Sequence, residues 1–329
     1  MWIDILKGIC MVFVVMSHSR APVQYAWLYT PFFLSGFFFA SGYTFSPCNN
    51  YKQFLLRKAK TILLPYWFFG ILNAILALIA DNDNLLDRLF GLLLSINRNN
   101  DDLWFVMCLF TMEIIFYGMQ KMLNRFNVET FFPGLVIPFL LCAFGYVMII
   151  LNIKLPFQIE TACVMLPFMY IGYEWKRYSK TILIRRLPWI TSGILIYITF
   201  CFTAQNSVNI HAESYSNFFV FLIQSSLGTI LIVLCSQSIY KHIGDMRITK
   251  CLVFIGQNTF VYYALQSKVI RLIDLLYGKL PFSINDFLRS PIYAFVCCAI
   301  LAIPAMIINR YFPFILGRKS LKPQLVGIK

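Results

Sequence analysis

The sequence has few charged residues for its length. Only 13% of its 329 residues are Asp, Glu, Lys or Arg, about half of the roughly 25% that is usual in soluble domains. Apolar and aromatic residues make up 59% of the chain, and apolar stretches about 20 residues long recur, each long enough to cross a bilayer as a helix. This composition excludes a water-soluble globular enzyme. It predicts an all-α fold, a polytopic transmembrane helical bundle.

Metal-binding patterns are also missing. The chain has three His and ten Cys, but it has no C-x-x-C pair and no His cluster at metal-ligand spacing. The cysteines are scattered mainly through apolar stretches, where we expect them to be small buried hydrophobic residues. The sequence therefore predicts no metal site.

Acidic residues are scarce relative to basic ones. The 28 Lys and Arg exceed the 14 Asp and Glu, which gives a net charge of +14. In a soluble protein this excess would suggest nucleic acid, but in a membrane protein it is first explained by orientation in the bilayer. We therefore expect membrane lipids around the chain, no nucleic-acid partner, and a location in the plasma or inner membrane of the cell.

Ten spans follow from the hydropathy pattern. They are Ile3–Ser19, Trp27–Ser46, Ile62–Ala80, Leu103–Met119, Phe131–Leu151, Ile159–Trp175, Pro188–Ala204, Phe218–Cys235, Cys251–Ile273 and Pro291–Asn309. Alternate connections, with the C-terminal tail, carry 19 Lys and Arg on one side and eight on the other. This asymmetry predicts that both termini are cytoplasmic. The connections are too short for a soluble domain, so we treat residues 1–329 as one domain.

Three ionisable side chains share one face of the first span. A helix turns about 100° per residue and rises 1.5 Å, so Asp4, Lys7, Met11 and His18 fall within a stripe about 60° wide. A buried histidine that is neutral near pH 7 can accept a proton from a hydroxyl. In the alternative interpretation, Asp4 and Lys7 form a pair at the cytoplasmic end and His18 caps the outer end.

Three basic residues, Arg57, Lys58 and Lys60, precede the third span. They are the candidate binding site for the phosphates of a ligand, because guanidinium and ammonium groups suit phosphate oxygens. The alternative is that they only set the orientation of the chain. The sequence leaves both interpretations open.

Other polar groups inside the spans are less specific. Glu113, Glu160, Asn258 and Gln266 are candidate substrate-binding residues because polar groups are costly in a bilayer unless they are paired or face water. The carboxylates can instead pair with a cation across the bundle, and the amides can join helices.

The order of short motifs resembles a known family. The opening Trp2-Ile3-Asp4-Ile5-Leu6-Lys7-Gly8-Ile9, with ten residues between Lys7 and His18, is similar to the first motif of the acyltransferase-3 family of integral-membrane acyltransferases, in particular its fucose 4-O-acetylase-like branch. The further matching segments are Pro31–Phe37, Arg57–Lys60 with Leu64-Pro65-Tyr66, Leu103–Val106 and Ile255–Thr259.

The resemblance implies an enzyme that moves an acyl group, usually acetyl from acetyl-CoA, to a hydroxyl of a cell-envelope polysaccharide or lipid-linked glycan. His18 would be the catalytic histidine and Lys7 its basic partner, with Asp4 and Lys7 organising the cytoplasmic end of the path. Direct transfer with His18 as general base and transient acylation of His18 both remain open.

Two other classes compete with the enzyme. A transporter or exporter of a lipid-linked sugar or small anion would use the same charged stripe as a substrate or proton path, but it predicts inverted repeats with broken helices. A non-enzymatic membrane scaffold would not explain why Lys7 and His18 share one face of an apolar helix. We rank the enzyme first and the transporter second.

Overall fold

The protein is almost entirely helical. The structure is a computed structural model, and it describes residues 2–19, 23–48, 50–81, 84–96, 103–126, 131–178, 187–279 and 285–318. The helices are α1 (Trp2–His18), α2 (Val23–Ala26), α3 (Phe33–Thr44), α4 (Tyr51–Lys58), α5 (Leu64–Asp81), α6 (Leu85–Leu94), α7 (Trp104–Arg125), α8 (Phe131–Ile150), α9 (Ile159–Tyr178), α10 (Leu187–Ala204), α11 (Phe218–Ile243), α12 (Arg247–Gln257), α13 (Thr259–Tyr277) and α14 (Asp286–Tyr311).

The remaining regular structure is small. Two strands, β1 (Val208–Asn209) and β2 (Ser214–Tyr215), pair antiparallel. Two short 3₁₀ turns cover Pro156–Gln158 and Pro313–Leu316. The predicted all-α class is therefore confirmed.

Within the described residues, five helices are long and apolar enough to cross a membrane. They are Tyr51–Ala80, Trp104–Arg125, Phe132–Ile150, Phe218–Ile243 and Phe287–Tyr311. Each of the ten spans expected from hydropathy coincides with a helix or a pair of helices, and the fold is a helical membrane bundle.

Two of the expected spans differ in form. The second is shorter than predicted, because the regular helix α3 begins only at Phe33, after a run of turns. The ninth is broken at Asn258, whose backbone has φ −116° and ψ 20°. The Asn258 side chain donates to the Phe254 carbonyl at 2.8 Å. A side-chain amide that bonds a nearby backbone group in this way competes with the helix, which explains the division into α12 and α13.

The third span is preceded by a wider helical turn. Residues Ala59–Leu63 form a π-helical turn between α4 and α5. Pro65 lies two positions after the turn, and a proline cannot donate the regular helical hydrogen bond. Single π-helical turns of this kind are rare and are often found at functional sites.

Helix α1 lies in the middle of the bundle and runs antiparallel to α3. Trp2 contacts Tyr43 at the start of α1, and Phe13 stacks on Tyr29 near its end. We call the end of the bundle that contains Lys7 the basic end, and the end that contains His18 the opposite end. The positive-inside count predicts that the basic end is cytoplasmic.

Two glycines allow α1 and α12 to touch backbone to backbone. A Cβ on Gly8 would lie 2.9 Å from the Leu252 carbonyl carbon, and a Cβ on Gly256 would lie 2.7 Å from the Asp4 carbonyl carbon. Neither distance leaves room for a side chain. This contact fixes the position of Lys7 relative to the junction between α12 and α13.

Candidate functional site

A cavity of about 290 Å³ lies along one face of α1. On this helix it is lined by Lys7, Met11 and Val14. These positions are one turn apart, so they form a continuous stripe on the helix. The other walls come from α3, the π-helical turn, α7, the junction between α12 and α13, and the chain after α14.

The cavity is open at the basic end. Four of its lining residues are exposed there: Thr44, Thr61, Gln257 and Arg318. Toward the opposite end the lining residues are buried and apolar, and they include Leu34. The cavity is therefore a pocket that is open at the basic end and has an apolar tip toward the opposite end.

Lys7 is paired inside this pocket. Its ammonium group lies 2.9 Å from the Asp4 carboxylate, one turn earlier on α1, and the two side chains are 27% and 16% exposed. The pair therefore remains in contact with water. Both residues lie on the same face of α1, as the spacing predicts, and Lys7 lines the pocket.

His18 is the last residue of α1 and is exposed at the opposite end. Val14, the last pocket residue on α1, is four positions earlier, which corresponds to a rise of about 6 Å. The Ser17 and Ser19 hydroxyls donate to α1 carbonyls at 2.7 and 2.6 Å, and Ser290 of α14 donates to the Met16 carbonyl at 2.9 Å. These bonds satisfy carbonyls at the helix end and fix the position of His18.

A second ion pair is buried beside the pocket. The Lys58 ammonium lies 2.7 Å from Glu113 Oε1, and the two side chains are 17% and 3% exposed. The same oxygen accepts a hydrogen bond from Ser41, which lines the pocket, at 2.5 Å. Glu113 thus joins α3, α4 and α7. It compensates the charge of Lys58.

The two other basic residues near Lys58 lie outside the pocket walls among the described residues. Arg57 is exposed and donates to the Ser46 carbonyl at 2.8 Å. Lys60 is also exposed. The three basic residues expected to hold phosphates do not form one cluster at the pocket.

A comparison with known families identifies the family of the chain. The family model described as an acyltransferase domain, Acyl_transf_3, matches residues 1–309. The chain belongs to the acyltransferase-3 family. Together with the apolar helices, this makes it an integral-membrane acyltransferase. The match does not assign the chain to a branch of the family. No curated protein and no solved structure matches the chain.

The candidate substrate residues of this acyltransferase lie at separate places. Glu160 is buried at the opposite end, where it accepts from the Leu155 amide at 3.2 Å. Asn258 is at the junction of α12 and α13, and Gln266 is buried in α13, with no hydrogen-bond partner for its Oε1 among the described residues. The structure does not bring these three residues and Glu113 together in one site.

Sequence reasoning did not single out Arg318, a basic residue in the pocket of the acyltransferase. It follows α14 and lines the pocket mouth. Desolvation lowers the pKa of its guanidinium from the ordinary value, although an arginine remains charged at neutral pH. In the sequence it was one of the basic residues of a tail that sets orientation, and no spacing rule connects it with Lys7.

Proposed function

We propose that the protein is an O-acyltransferase of the cell envelope. It takes an acyl group, expected to be acetyl, from an acyl-CoA at the basic end and transfers it to a hydroxyl of a polysaccharide or lipid-linked glycan. His18 serves as the general base. The resemblance to the fucose 4-O-acetylase-like branch supports a sugar hydroxyl as the acceptor.

One observation carries this proposal. The face of α1 that ends at His18 is the face that lines the pocket, through Lys7, Met11 and Val14. The pocket opens at the basic end, where a cytoplasmic donor is available. A single helix face therefore runs from the mouth of the pocket to the level of the histidine.

The size of the pocket suits only part of the donor. At about 290 Å³ it lies at the lower end of the range for small-molecule sites. It therefore takes the narrow thioester arm, while the nucleotide remains at the mouth. The thioester has to pass the level of Val14, about 6 Å before His18, so the apolar tip must open during the reaction.

The proposed reaction needs one base, and it replaces the C–S bond of the thioester with a C–O bond. The acceptor oxygen attacks the thioester carbonyl while its proton passes to the His18 imidazole. The new C–O bond forms, the C–S bond breaks, and the thiolate takes the proton from the imidazolium to leave as free CoA. Lys7, held by Asp4 at 2.9 Å, supplies a positive charge at the cytoplasmic part of the path.

A variant of His18 tests the proposal. His18→Gln removes the base but retains a polar side chain, so we expect transfer to fall by about a hundredfold or more. The matched control is His242→Gln, at an exposed histidine near the end of α11. The measurements are protein abundance, glycan O-acylation in cells, and acetyl-CoA cleavage by purified protein. Normal acylation at normal abundance in His18→Gln would exclude His18 as the base.

A further inference from the structure

The chain after α14 is packed into the basic end of the bundle. It forms a 3₁₀ turn, Pro313–Leu316, in which Ile315 and Leu316 are buried. Gly317 follows with φ 65°, and a Cβ there would lie 3.0 Å from the Lys60 carbonyl carbon. This left-handed residue, which only glycine adopts easily, turns the chain toward the pocket mouth. Arg318 is the next residue.

The Arg318 side chain reaches across the junction between α12 and α13. Its guanidinium donates to the Gln257 carbonyl and to Asn309 Oδ1, and its Nη1 lies 3.4 Å from Asn258 Oδ1. Asn309 in turn donates to Asn258 at 2.7 Å. Arginine has five N–H donors, so these three contacts hold the guanidinium in place and leave donors available to a ligand.

All three acceptors of Arg318 are uncharged. Within the part of the chain that the structure describes, no carboxylate pairs with Arg318. Of the other basic residues near the pocket, Lys7 is paired with Asp4 and Lys58 with Glu113. The guanidinium at the mouth therefore brings a positive charge that no described carboxylate compensates.

We propose that Arg318 binds a phosphate of the acyl-CoA donor at the pocket mouth. This rests on the proposed function. It places the phosphate-binding arginine beyond residue 309, where the match to the family ends. A guanidinium held on one side by neutral acceptors presents its remaining N–H groups to phosphate oxygens, and such charge-assisted bonds are strong and directional. The thioester arm then enters the pocket past Lys7.

The test compares two ligands that differ in their phosphates. CoA carries them and pantetheine does not, although both carry the thiol arm. In purified protein, Arg318→Gln should weaken CoA binding about tenfold to a hundredfold, the range for lost hydrogen bonds to a charged group, and leave pantetheine binding unchanged. The CoA affinity of Arg318→Lys should lie between those of the wild type and Arg318→Gln. The control is Arg310→Gln, at an exposed arginine near the end of α14.

A second measurement compares the KM for acetyl-CoA with the KM for acetyl-pantetheine in the wild type and in Arg318→Gln. A KM value does not depend on the amount of folded protein. An equal loss for both donors, or no loss for either, would overturn the role of Arg318 as a phosphate ligand. An Arg318→Gln effect on CoA binding alone supports it. If the wild-type protein binds CoA through Arg318 but cleaves no thioester, the proposed function fails and the binding site remains.

Discussion

Replacing Gly256 with Ala tests the close packing between α12 and the start of α1. The new Cβ would lie 2.7 Å from the Asp4 carbonyl carbon, whereas ordinary contacts are 3.4–4 Å. The two helices must therefore separate by about 1 Å or distort. Overpacking of this kind costs about 1–3 kcal/mol. The displacement moves Lys7, one turn from the contact, away from the junction of α12 and α13.

Gly118→Ala is the matched control for Gly256→Ala. Gly118 is also inside a helix, α7, but a Cβ there meets nothing within 4 Å. Alanine favours helix over glycine by about 0.5–1 kcal/mol, so Gly118→Ala should be neutral or slightly stabilising.

The assay is thermal unfolding in detergent together with acetyl-CoA cleavage. Gly256→Ala should lower the unfolding midpoint by several degrees and reduce turnover by as much as about a hundredfold, the loss expected from a 1 Å misplacement at a reacting centre. If Gly256→Ala and Gly118→Ala behave alike in both measurements, α1 and α12 do not approach as closely as the structure shows.

Two further changes test the interior next to the pocket. Lys58→Ala leaves the carboxylate of Glu113 buried without its partner and should destabilise the protein by about 3 kcal/mol, the lower part of the range for buried pairs because Lys58 is 17% exposed. In denaturation experiments, the double variant Lys58→Met with Glu113→Leu should recover most of the lost stability. The control Lys52→Ala, at an exposed lysine, should change the stability little. If the double variant recovers no stability, the broken ion pair is not the cause of the loss. Tyr66→Phe removes a buried hydrogen bond of 2.7 Å to the Leu92 carbonyl and should lower the free energy of unfolding by about 1 kcal/mol. A Tyr66→Phe protein as stable as the wild type would contradict that bond.

Hydropathy located the helices because the bilayer requires long apolar segments. It did not locate the breaks within them. The division at Asn258 depends on a side-chain bond to Phe254, and the π-helical turn at Ala59–Leu63 depends on the local geometry before Pro65. Neither feature changes the average hydropathy of its segment.

Helical spacing placed Asp4, Lys7 and Met11 on one face, and the structure agrees, because a regular helix makes this relation local. The partners of the basic residues could not be predicted in the same way. Lys58 meets Glu113 across 55 positions of sequence, and Arg318 reaches Gln257 across 61. Such contacts depend on how distant helices pack, which a single sequence does not specify.

The central claim is that one face of α1 lines a water-accessible pocket open at the basic end. It is tested most directly by labelling introduced cysteines with a membrane-impermeant thiol reagent in inverted membrane vesicles, which expose the cytoplasmic side, and locating the label by mass spectrometry. Lys7→Cys should react quickly and Met11→Cys more slowly, while the native Cys10, which is fully buried and does not line the pocket, stays unlabelled. Reaction of Cys10 as fast as Met11→Cys, or no labelling of Lys7→Cys from this side, would contradict the account.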